Sequence, residues 1–329
     1  MSAIRFISGS GRSGTTWIQD SLASANGLRP VFEPLHPYLS DVGNEYAHRA
    51  LAADEDHPAL KQFLVRAAAG RGPRLWTQYR QQLRWLFPPP DEFWSKRDAG
   101  RTKRHWSKFL REAPKLTRDG FRREPLIKCI RANLMLPWIA RNLDCRVVLI
   151  VRHPGAVVES ELRSRWNASF ALERFRNDAK LHALTGGRYR ALLARELSSV
   201  EALTLRWLIE NQWVVDAAAA HGVTIIHYED LRSPHDNAWS RLCAALDVKH
   251  VPGKQTLSVP SQQSAATLRS SSKPRSRMSR WMERLTTDQI NRVRDVLESA
   301  GFNGYSMDDP APRITGGMQT GTRTAEAVP

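Results

Sequence analysis

The sequence predicts a three-layer α/β fold, in which helices flank a central, mostly parallel sheet. Short apolar runs of strand length recur at residues 3–7, 125–129, 146–151 and 222–228, and helical patterns lie between them. The run at 146–151 is continuous and rich in β-branched residues, which is typical of a strand buried on both faces. Strands that alternate with helices along a chain form parallel sheets with helices on both sides.

The first elements are a strand, a glycine-rich turn and a helix. Residues 3–7 form the strand, the turn reads SGSGRSG, and residues 15–25 form a helix with one apolar side. Prolines then mark residues 32–37 as a loop. A long, mostly helical stretch at 44–118, broken by three prolines at 88–90, reads as an insertion.

Each later strand is followed by a helical pattern, which completes the alternation. A proline and a glycine follow the strand at 146–151, and proline suits the first turn of a helix. The expected helices after the second strand cover about 131–142, the segment that begins near 156, the region 190–220, and the stretches 237–246 and 287–300.

The chain of 329 residues is predicted to be one domain over residues 1–305, with the helical insertion at about 44–118. From residue 306 to residue 329 the composition shifts to Gly, Thr, Pro and Ala. Such a segment cannot bury much apolar surface, so a disordered tail is expected there.

The bulk composition is that of an ordinary globular protein with an excess of basic residues. Hydrophobic residues make up 41%, and 49 Lys and Arg against 33 acidic residues give a net charge of +16. Such a field attracts nucleic acid, acidic lipid surfaces or phosphorylated small molecules. A solvated basic surface explains the charge equally well, so charge alone selects no function.

Cysteine usage and hydropathy predict a cytoplasmic protein. The three cysteines are odd in number and form no CxxC pair, which argues against a disulfide framework and against a zinc site. The first residues lack the pattern of a signal peptide. No run approaches the roughly 18 apolar residues that a membrane span needs.

The turn after the first strand has the glycine spacing of a phosphate-binding P-loop, GxxxxG, from Gly9 to Gly14. Its position between a strand and a helix makes the motif credible, and the predicted fold is therefore P-loop-like. Glycines allow several backbone N–H groups to point inward, and the helix N-terminus adds partial positive charge. The turn is expected to cradle a phosphate or sulfate, with Arg12, Ser13, Thr15 and Thr16 supplying side-chain contacts.

The same turn departs from the P-loop of kinases. Thr15 occupies the position of the lysine that kinases place on the β- and γ-phosphates. We also find no convincing acidic Mg²⁺ ligand at a strand end. A single phosphate that carries a sulfuryl group needs only backbone N–H groups, hydroxyls and one cation, which Arg12 can provide.

A second motif follows the strand at 146–151. Arg152 stands at the strand exit and Ser160 lies eight residues later on the next helix, with Pro154 between them. A guanidinium at this edge of the sheet can fork onto phosphate oxygens. Because ligands of parallel sheets bind beyond the carboxyl ends of the strands, we expect the two motifs to lie side by side.

Together the two motifs resemble those of the sulfotransferases that use 3′-phosphoadenylyl sulfate (PAPS). The segment RSGTTW, which ends at Trp17, resembles the family's 5′-phosphosulfate loop, and RHPGAVVES resembles its 3′-phosphate motif. The resemblance covers residues 4–37, 125–166 and 222–300. It implies a sulfotransferase that binds PAPS as donor, releases adenosine 3′,5′-bisphosphate (PAP) and needs no metal. The cofactor-binding residues it implies in the two motifs are Gly11, Arg12, Ser13, Gly14, Thr15, Thr16, Trp17, Arg152 and Ser160.

The resemblance also implies a catalytic base. Glu33, in the segment FEP, matches a glutamate that is considered the general base in glycan sulfotransferases. Partial desolvation beside Phe32 and prolines is expected to raise its pKa. An ion pair with a nearby arginine is the competing interpretation of Glu33. Arg12 is expected to stabilise the charge that develops on the leaving oxygen.

Histidine is the alternative base. His36 stands three residues after Glu33, while His105 and His153 are weaker candidates. Phenol and simple-alcohol sulfotransferases use a histidine, but one that lies much further along the chain. An ordinary loop role for His36 is therefore left open.

Several positions are expected to support the site. Lys128 and Arg131 follow the second strand and are expected either to reach the ligand or to lie at the surface. The segment HYEDL at 227–231 resembles a segment common in the family, and we expect a mainly structural role for it: Tyr228 packs, and Glu229 or Asp230 caps the next helix. The basic run at 269–281 resembles a loop that closes over the nucleotide, and its candidates for the 3′-phosphate are Ser271, Lys273 and Arg275.

The acceptor is expected to be a glycan, a glycolipid or a small metabolite, and no nucleic-acid partner is expected. Four tryptophans of the insertion are candidates for stacking on sugars, for contact with a lipid surface or for core packing; they are Trp76, Trp85, Trp94 and Trp106.

Two other classes compete with the sulfotransferase hypothesis. A P-loop kinase for a nucleotide or small molecule would need ATP and Mg²⁺. A nucleic-acid-binding protein would show steep salt-dependent binding to DNA. The second class lacks a helix-turn-helix, zinc-finger or RNA-recognition signature in the sequence.

Overall fold

A computed structural model of the chain describes residues 4–71, 77, 123–233, 237–258 and 278–313. The central sheet has five strands in the order β2-β3-β1-β4-β5, and every pairing in it is parallel. The strands are β1 (Ile4–Ser8), β2 (Arg29–Phe32), β3 (Pro125–Lys128), β4 (Cys145–Val151) and β5 (Val223–His227). This arrangement confirms the predicted α/β fold with a parallel sheet flanked by helices.

The strand β2 lies in a stretch that the sequence did not predict as a strand. It is an edge strand, paired through Val31 and Ile127 with β3 alone. Pro30 lies within it, and proline is tolerated in edge strands because one side of the backbone has no ladder to join.

The helices alternate with these strands along the chain. In chain order they are α1 (Thr15–Asn26), α2 (Asp41–Tyr46), α3 (Pro58–Ala68), α4 (Leu136–Asn142), α5 (Pro154–Arg163), α6 (Ser169–Asn177), α7 (Ala179–Leu184), α8 (Arg190–Leu193), α9 (Ser199–His221), α10 (Tyr228–Arg232), α11 (Ala238–Ala245), α12 (Lys254–Ser258), α13 (Arg280–Arg284) and α14 (Thr287–Ser299). A 3₁₀ turn, Asn133–Met135, precedes α4.

The apolar core lies on both faces of the sheet. Val147, Leu149 and Val151 of β4 belong to the larger cluster, while Val148 and Ile150 belong to a second cluster with α1 and α11. Successive side chains of a strand point to opposite faces, so the continuous run of β4 fills both clusters. The interpretation of 146–151 as a strand buried on both faces is therefore confirmed.

The longest described helix, α9, packs across the larger cluster. Its N-terminus has a capping box between Ser198 and Glu201, and it ends at Gly222 in the left-handed conformation. Its buried residues include Arg206, Glu210 and Asn211 besides many apolar ones. The helix therefore carries polar groups into the interior.

The chain stays structured beyond the predicted start of the tail. Two short strands, β6 (Tyr305–Ser306) and β7 (Asp309–Pro312), pair antiparallel, and Tyr305 and Met307 are buried. The predicted boundary at residue 306 was thus too early, because a few buried side chains anchor a segment whose average composition is polar. Residues 314–329 lie outside the described residues.

The insertion predicted at 44–118 is described only in part. Within its first third the structure has α3 and the end of α2, and most of the rest, including Trp76, Trp85, Trp94 and Trp106, lies outside the described residues. None of the described helices combines the length and the apolar content that crossing a bilayer requires. The single-domain organisation and the cytoplasmic location stay predictions.

Candidate functional site

The glycine-rich turn joins β1 to α1 as predicted, and its glycines are required by conformation and by space. Gly9 and Gly14 have φ of 154° and 84°. A Cβ atom on Gly14 would lie 2.5 Å from the Tyr228 ring, and one on Gly9 would lie 2.5 Å from the carbonyl oxygen of Ile150. Larger residues would therefore push the turn away from β4 and α10.

The turn leads into a helix whose first turn is suited to an anion. No side chain caps α1, and its first turn contains no acidic residue. The N–H groups at a helix start and the helix dipole both favour negative charge. Thr15 and Thr16 are buried in this first turn.

The hydroxyl of Ser13 is a second feature of the turn that is suited to an anion. Ser13 is fully buried, and its Oγ has no hydrogen-bond partner within the described part of the chain. Buried hydroxyls are nearly always paired, so this unpaired hydroxyl inside a glycine-rich turn is suited to donate a hydrogen bond to a bound anion.

The two predicted phosphate motifs meet at this turn. Arg12 donates from Nε to Ser160 Oγ at 2.9 Å, and Arg152 donates from Nη1 to the carbonyl oxygen of Arg12 at 2.8 Å. Arg12 lies in the turn between β1 and α1, Arg152 directly follows β4, and Ser160 lies in α5. Arg12 has a left-handed backbone, with φ of 64°, that turns its side chain toward α5.

Two guanidiniums thus lie side by side, and no carboxylate of the described residues directly bridges them. Burial and the neighbouring charge of Arg152 lower the pKa of the Arg12 guanidinium. The Arg152 guanidinium also lies 4.7 Å from the centre of the Tyr228 ring, which orients it. An anion between the two arginines would relieve their repulsion, and a phosphate has the geometry to receive both.

Trp17, the last residue of the predicted loop motif, is a packing residue. It is buried, and its ring lies edge-on to Tyr228 and Trp239, at centroid distances of 6.0 and 5.3 Å. Arg232 lies over its face at 4.9 Å. Trp17 therefore fixes the wall behind the turn.

Glu33 lies in a tight ion cluster at the neighbouring strand ends. It is 2% exposed, and its Oε1 accepts a hydrogen bond from Lys128 Nζ at 2.5 Å. Its Oε2 accepts from the Ile130 amide and from Arg131 Nη1, both at 3.1 Å. Lys128 and Arg131 therefore hold the Glu33 carboxylate, and their contact with a ligand stays a prediction.

The expectation of a raised pKa for Glu33 was wrong. Burial alone would raise its pKa, but the charges of Lys128 and Arg131 and the hydrogen bond from Lys128 outweigh burial and hold the pKa below its ordinary value. The sequence showed the apolar neighbours that desolvate Glu33. It did not show that Lys128 and Arg131, which lie 95 and 98 residues later at the end of β3 and just after it, contact Glu33. Glu33 is therefore ionised at neutral pH.

The histidine candidates differ sharply in their surroundings. His36 lies beside Glu33 in sequence and is half-buried; burial and the charge of Arg131 lower its pKa to about 3, so its ring is neutral. His153 is buried, stacks on Trp281 at 4.3 Å and has both ring nitrogens within hydrogen-bond distance of backbone atoms. His153 is thus a structural residue, and His105 lies outside the described residues.

The segment HYEDL has a role that differs from the predicted helix cap. Glu229 accepts hydrogen bonds from the His153 amide at 3.0 Å and from the Tyr305 hydroxyl at 2.9 Å. Burial raises the pKa of Glu229 to about 6. Glu229 therefore ties the turn after β4 to the hairpin of β6 and β7 instead of capping the next helix.

Hydrogen bonds from polar residues that were not predicted from the sequence hold the glycine-rich turn. Asn133 Oδ1 accepts from the Gly9 amide at 3.1 Å and from Ser8 Oγ at 2.5 Å, and Asn211 Nδ2 donates to Ser10 Oγ at 2.7 Å. Asn133 also donates to the backbone of α9 at Glu210. The turn is thus held by hydrogen bonds from the 3₁₀ turn and from α9.

A buried charge network lies behind the same turn. Arg206 of α9 pairs with Glu161 and lies 3.8 Å from Glu210 Oε1, and His48 Nδ1 lies 3.1 Å from that oxygen. Three polar residues at positions 206, 210 and 211 of one helix were a possible signal, because they recur on one side of α9. The three predicted 3′-phosphate contacts Ser271, Lys273 and Arg275 lie outside the described residues.

Comparison with known proteins adds the following. The sequence matches no protein-family model and no curated protein. Among solved structures, a sulfotransferase domain from the curacin biosynthetic pathway is similar at 17% identity and a TM-score of 0.44, over 92% of this chain and 99% of that chain. A sulfotransferase domain from the Synechococcus PCC 7002 olefin synthase is similar at 16% identity and a TM-score of 0.42, over 89% and 94%.

Proposed function

We propose that this protein is a sulfotransferase that moves a sulfuryl group from PAPS to a hydroxyl of an acceptor. The observation that carries the proposal is the meeting of Arg12, Arg152 and Ser160 at a glycine-rich turn that contains the unpartnered hydroxyl of Ser13. This arrangement offers adjacent places for two anionic groups. PAPS carries two such groups, a 5′-phosphosulfate and a 3′-phosphate.

The proposed donor contacts divide between the two motifs. The turn from Gly11 to Gly14, with Thr15 and Thr16, would hold the 5′-phosphosulfate through backbone N–H groups and hydroxyls. Arg152 and Ser160 would hold the 3′-phosphate. Arg12 lies between the motifs and can reach either group.

The proposed reaction is an in-line displacement at sulfur. The acceptor oxygen forms a bond to sulfur while the bond from sulfur to the 5′-phosphate oxygen breaks, and the electron pair leaves with PAP. Arg12 and the backbone N–H groups of the turn would stabilise the charge that grows on that oxygen. In this scheme the charge is neutralised by protein groups alone.

Glu33 is the proposed base that receives the acceptor proton. It is ionised at neutral pH because Lys128 and Arg131 lower its pKa, so it is also a weak base. A weak base suffices because a hydroxyl becomes much more acidic as its oxygen bonds to sulfur. Lys128 and Arg131 would then also stabilise negative charge near the acceptor.

Binding of PAP to the metal-free protein tests the proposal. Calorimetry in the presence of a chelator should show tight binding to the wild type and a large loss in Arg152→Ala. Truncation of a charged, hydrogen-bonded partner costs roughly 2–5 kcal/mol, which is at least about 30-fold in affinity. Arg146→Ala is the matched control, because Arg146 is exposed near the opposite end of β4.

Two outcomes would contradict the proposal. Failure of the folded wild type to bind PAP would exclude a PAPS site. Binding of ATP that requires Mg²⁺, with no binding of PAP, would favour the P-loop kinase instead. If PAP binds, transfer from PAPS to a panel of glycans, glycolipids and small alcohols would identify the acceptor class.

A further inference from the structure

Glu161 lies in the wall of the glycine-rich turn and has no role in the reaction proposed above. It directly follows Ser160, is fully buried, and its Oε1 lies 3.0 Å from the point where a Cβ atom on Gly11 would be. Ser160 in turn binds Arg12. The Trp166 ring lies nearer still to that Cβ position of Gly11. An anion bound by Arg12 would therefore compete with the buried Glu161 carboxyl group for the charge of Arg12.

The cation that pairs directly with Glu161 also lies near a second carboxylate. Arg206 of α9 contacts Glu161 and lies 3.8 Å from Glu210 Oε1. His48, the other neighbour of Glu210, has a pKa lowered by burial and is neutral. The two carboxylates thus share Arg206, while Arg12 acts on Glu161 through its charge and binds Ser160. Oε2 of Glu161 has no hydrogen-bond partner among the described residues.

The two carboxylates divide this charge unequally. Burial raises the pKa of both groups, but for Glu210 the charge of Arg206 and the contact with His48 prevail and lower the pKa. For Glu161 burial prevails over Arg206, the charge of Glu210 adds to the shift, and the pKa rises to about 7. The charged groups that face Glu161 are therefore Arg206 and Glu210 of α9 and Arg12 of the turn.

We propose that Glu161 is a positioning residue of the donor site, which takes up a proton when an anionic donor enters the turn and releases it when the donor leaves. The proposal rests on the proposed function, because it needs a phosphorylated ligand in the turn. A negative ligand beside Gly11 repels an ionised Glu161, and protonation removes that repulsion. A neutral Glu161 also leaves the charge of Arg12 to the donor.

The sign of the pH dependence follows from this exchange. Below the pKa of Glu161 the group already carries its proton, so this group leaves donor affinity independent of pH. Above that pKa the proton must be taken up on binding, and affinity falls by up to about tenfold per pH unit. The donor is therefore expected to bind more weakly as the solution becomes alkaline.

The test compares proton uptake on PAP binding in three proteins: wild type, Glu161→Gln and Glu159→Gln. Calorimetry in buffers of different ionisation enthalpy, between about pH 6 and pH 9, counts the protons exchanged. The phosphates of PAP also titrate at about pH 6, but the protons that they exchange on binding are the same in number for all three proteins. Glu159 is the matched control, because it lies on the same helix and its pairs with Arg163 and Arg284 keep its pKa low.

The expected result is uptake of about one proton above neutral pH in the wild type and in Glu159→Gln, and a reduction by about one in Glu161→Gln. Equal uptake in all three folded proteins would overturn the proposal. Absence of PAP binding at every pH would overturn the proposed function and this inference together. Should Glu161→Gln not fold, infrared difference spectra of the wild type decide: no protonated-carboxyl band on PAP binding would also overturn it.

Discussion

Glu33 and Glu161 are both buried carboxylates beside the candidate site, yet their surroundings shift their pKa values in opposite directions. Glu33 is 2% exposed and has a lowered pKa, whereas Glu161 is 0% exposed and has a pKa of about 7. Burial is nearly the same for both, so burial does not explain the difference.

The number of cations per carboxylate explains it. Glu33 contacts two cations, Lys128 and Arg131, and also accepts from a backbone amide. Glu161 pairs with one cation, Arg206, which also lies near a second carboxylate. In this site, the buried carboxyl group that contacts two cations has a lowered pKa, whereas the one that shares a single paired cation has a raised pKa.

The largest effect is expected from Glu33→Gln on catalysis. If Glu33 is the base, kcat for sulfuryl transfer falls about 10²–10⁴-fold while PAP affinity is retained. The measurement is transfer from PAPS to an identified acceptor, together with PAP calorimetry. The double variant Glu33→Gln/Lys128→Met is the control, because it also removes the Lys128 charge that Glu33 contacts. Recovery of kcat in the double variant would instead indicate that Glu33 only neutralises the lysine.

In the variant Lys128→Met, the pKa of Glu33 should be raised, as the pKa of Glu161 is in the wild type. Breaking a buried pair costs about 3–5 kcal/mol of unfolding free energy, and burial then raises the pKa of Glu33. When folding raises the pKa of a carboxyl group, the protonated group adds stability at pH values below its pKa in the unfolded chain. This added stability is lost as the pH rises through the pKa that the group has in the folded protein. Urea unfolding in a pH series should therefore show a deficit that shrinks in acid.

The control for this variant is Lys180→Met, which removes an exposed partner of Glu55. An exposed pair contributes little to stability, because solvent and salt screen its charges. A deficit in Lys128→Met that is equally small, or one that does not depend on pH, would contradict the explanation by cation number.

Glu161→Gln should have a smaller effect on stability, with the opposite dependence on pH. As pH rises from the ordinary carboxyl pKa to about 7 the wild type loses stability, because Glu161 ionises in the unfolded chain before it ionises in the folded protein. The variant does not ionise, so it gains relative to the wild type by as much as roughly 3 kcal/mol in alkali. Unfolding curves of the ligand-free proteins measure this gain. Wild-type and variant curves that run parallel from acid to alkali would show that Glu161 does not titrate.

Glu159→Gln should have the smallest effect of the series. Its carboxylate pairs with Arg163 and Arg284, whose side chains are exposed. The loss is expected to stay below about 1 kcal/mol and to shrink further in high salt. A loss comparable to that of Lys128→Met would indicate that surface pairs also determine stability here.

The sequence was informative where the signal is local. A strand, a glycine-rich turn and a helix lie within Ile4–Asn26, and Arg152 and Ser160 lie only eight residues apart. Short sequence motifs were therefore enough to predict the strand–turn–helix unit and the pair of Arg152 and Ser160. The strand β2 was missed because four residues containing Pro30 carry too weak a pattern.

The charge state of the site could not be predicted in the same way. Lys128 meets Glu33, and Arg206 meets Glu161, across 95 and 45 residues of sequence. Neither pairing has a periodic signature, because it depends on how distant elements pack. Polar residues on a helix are expected to face water, and only the packing of α9 shows that Arg206 and Asn211 do not.

The hairpin of β6 and β7 has a consequence for the order in which the protein is made. Tyr305 binds Glu229, and the backbone of Ser306 binds His153, next to Arg152 of the donor motif. A ribosome releases the glycine-rich turn early and these anchors some three hundred residues later. During synthesis Arg152 therefore precedes the anchors of its neighbour His153, and under the proposed function the donor would stabilise only molecules whose hairpin has emerged.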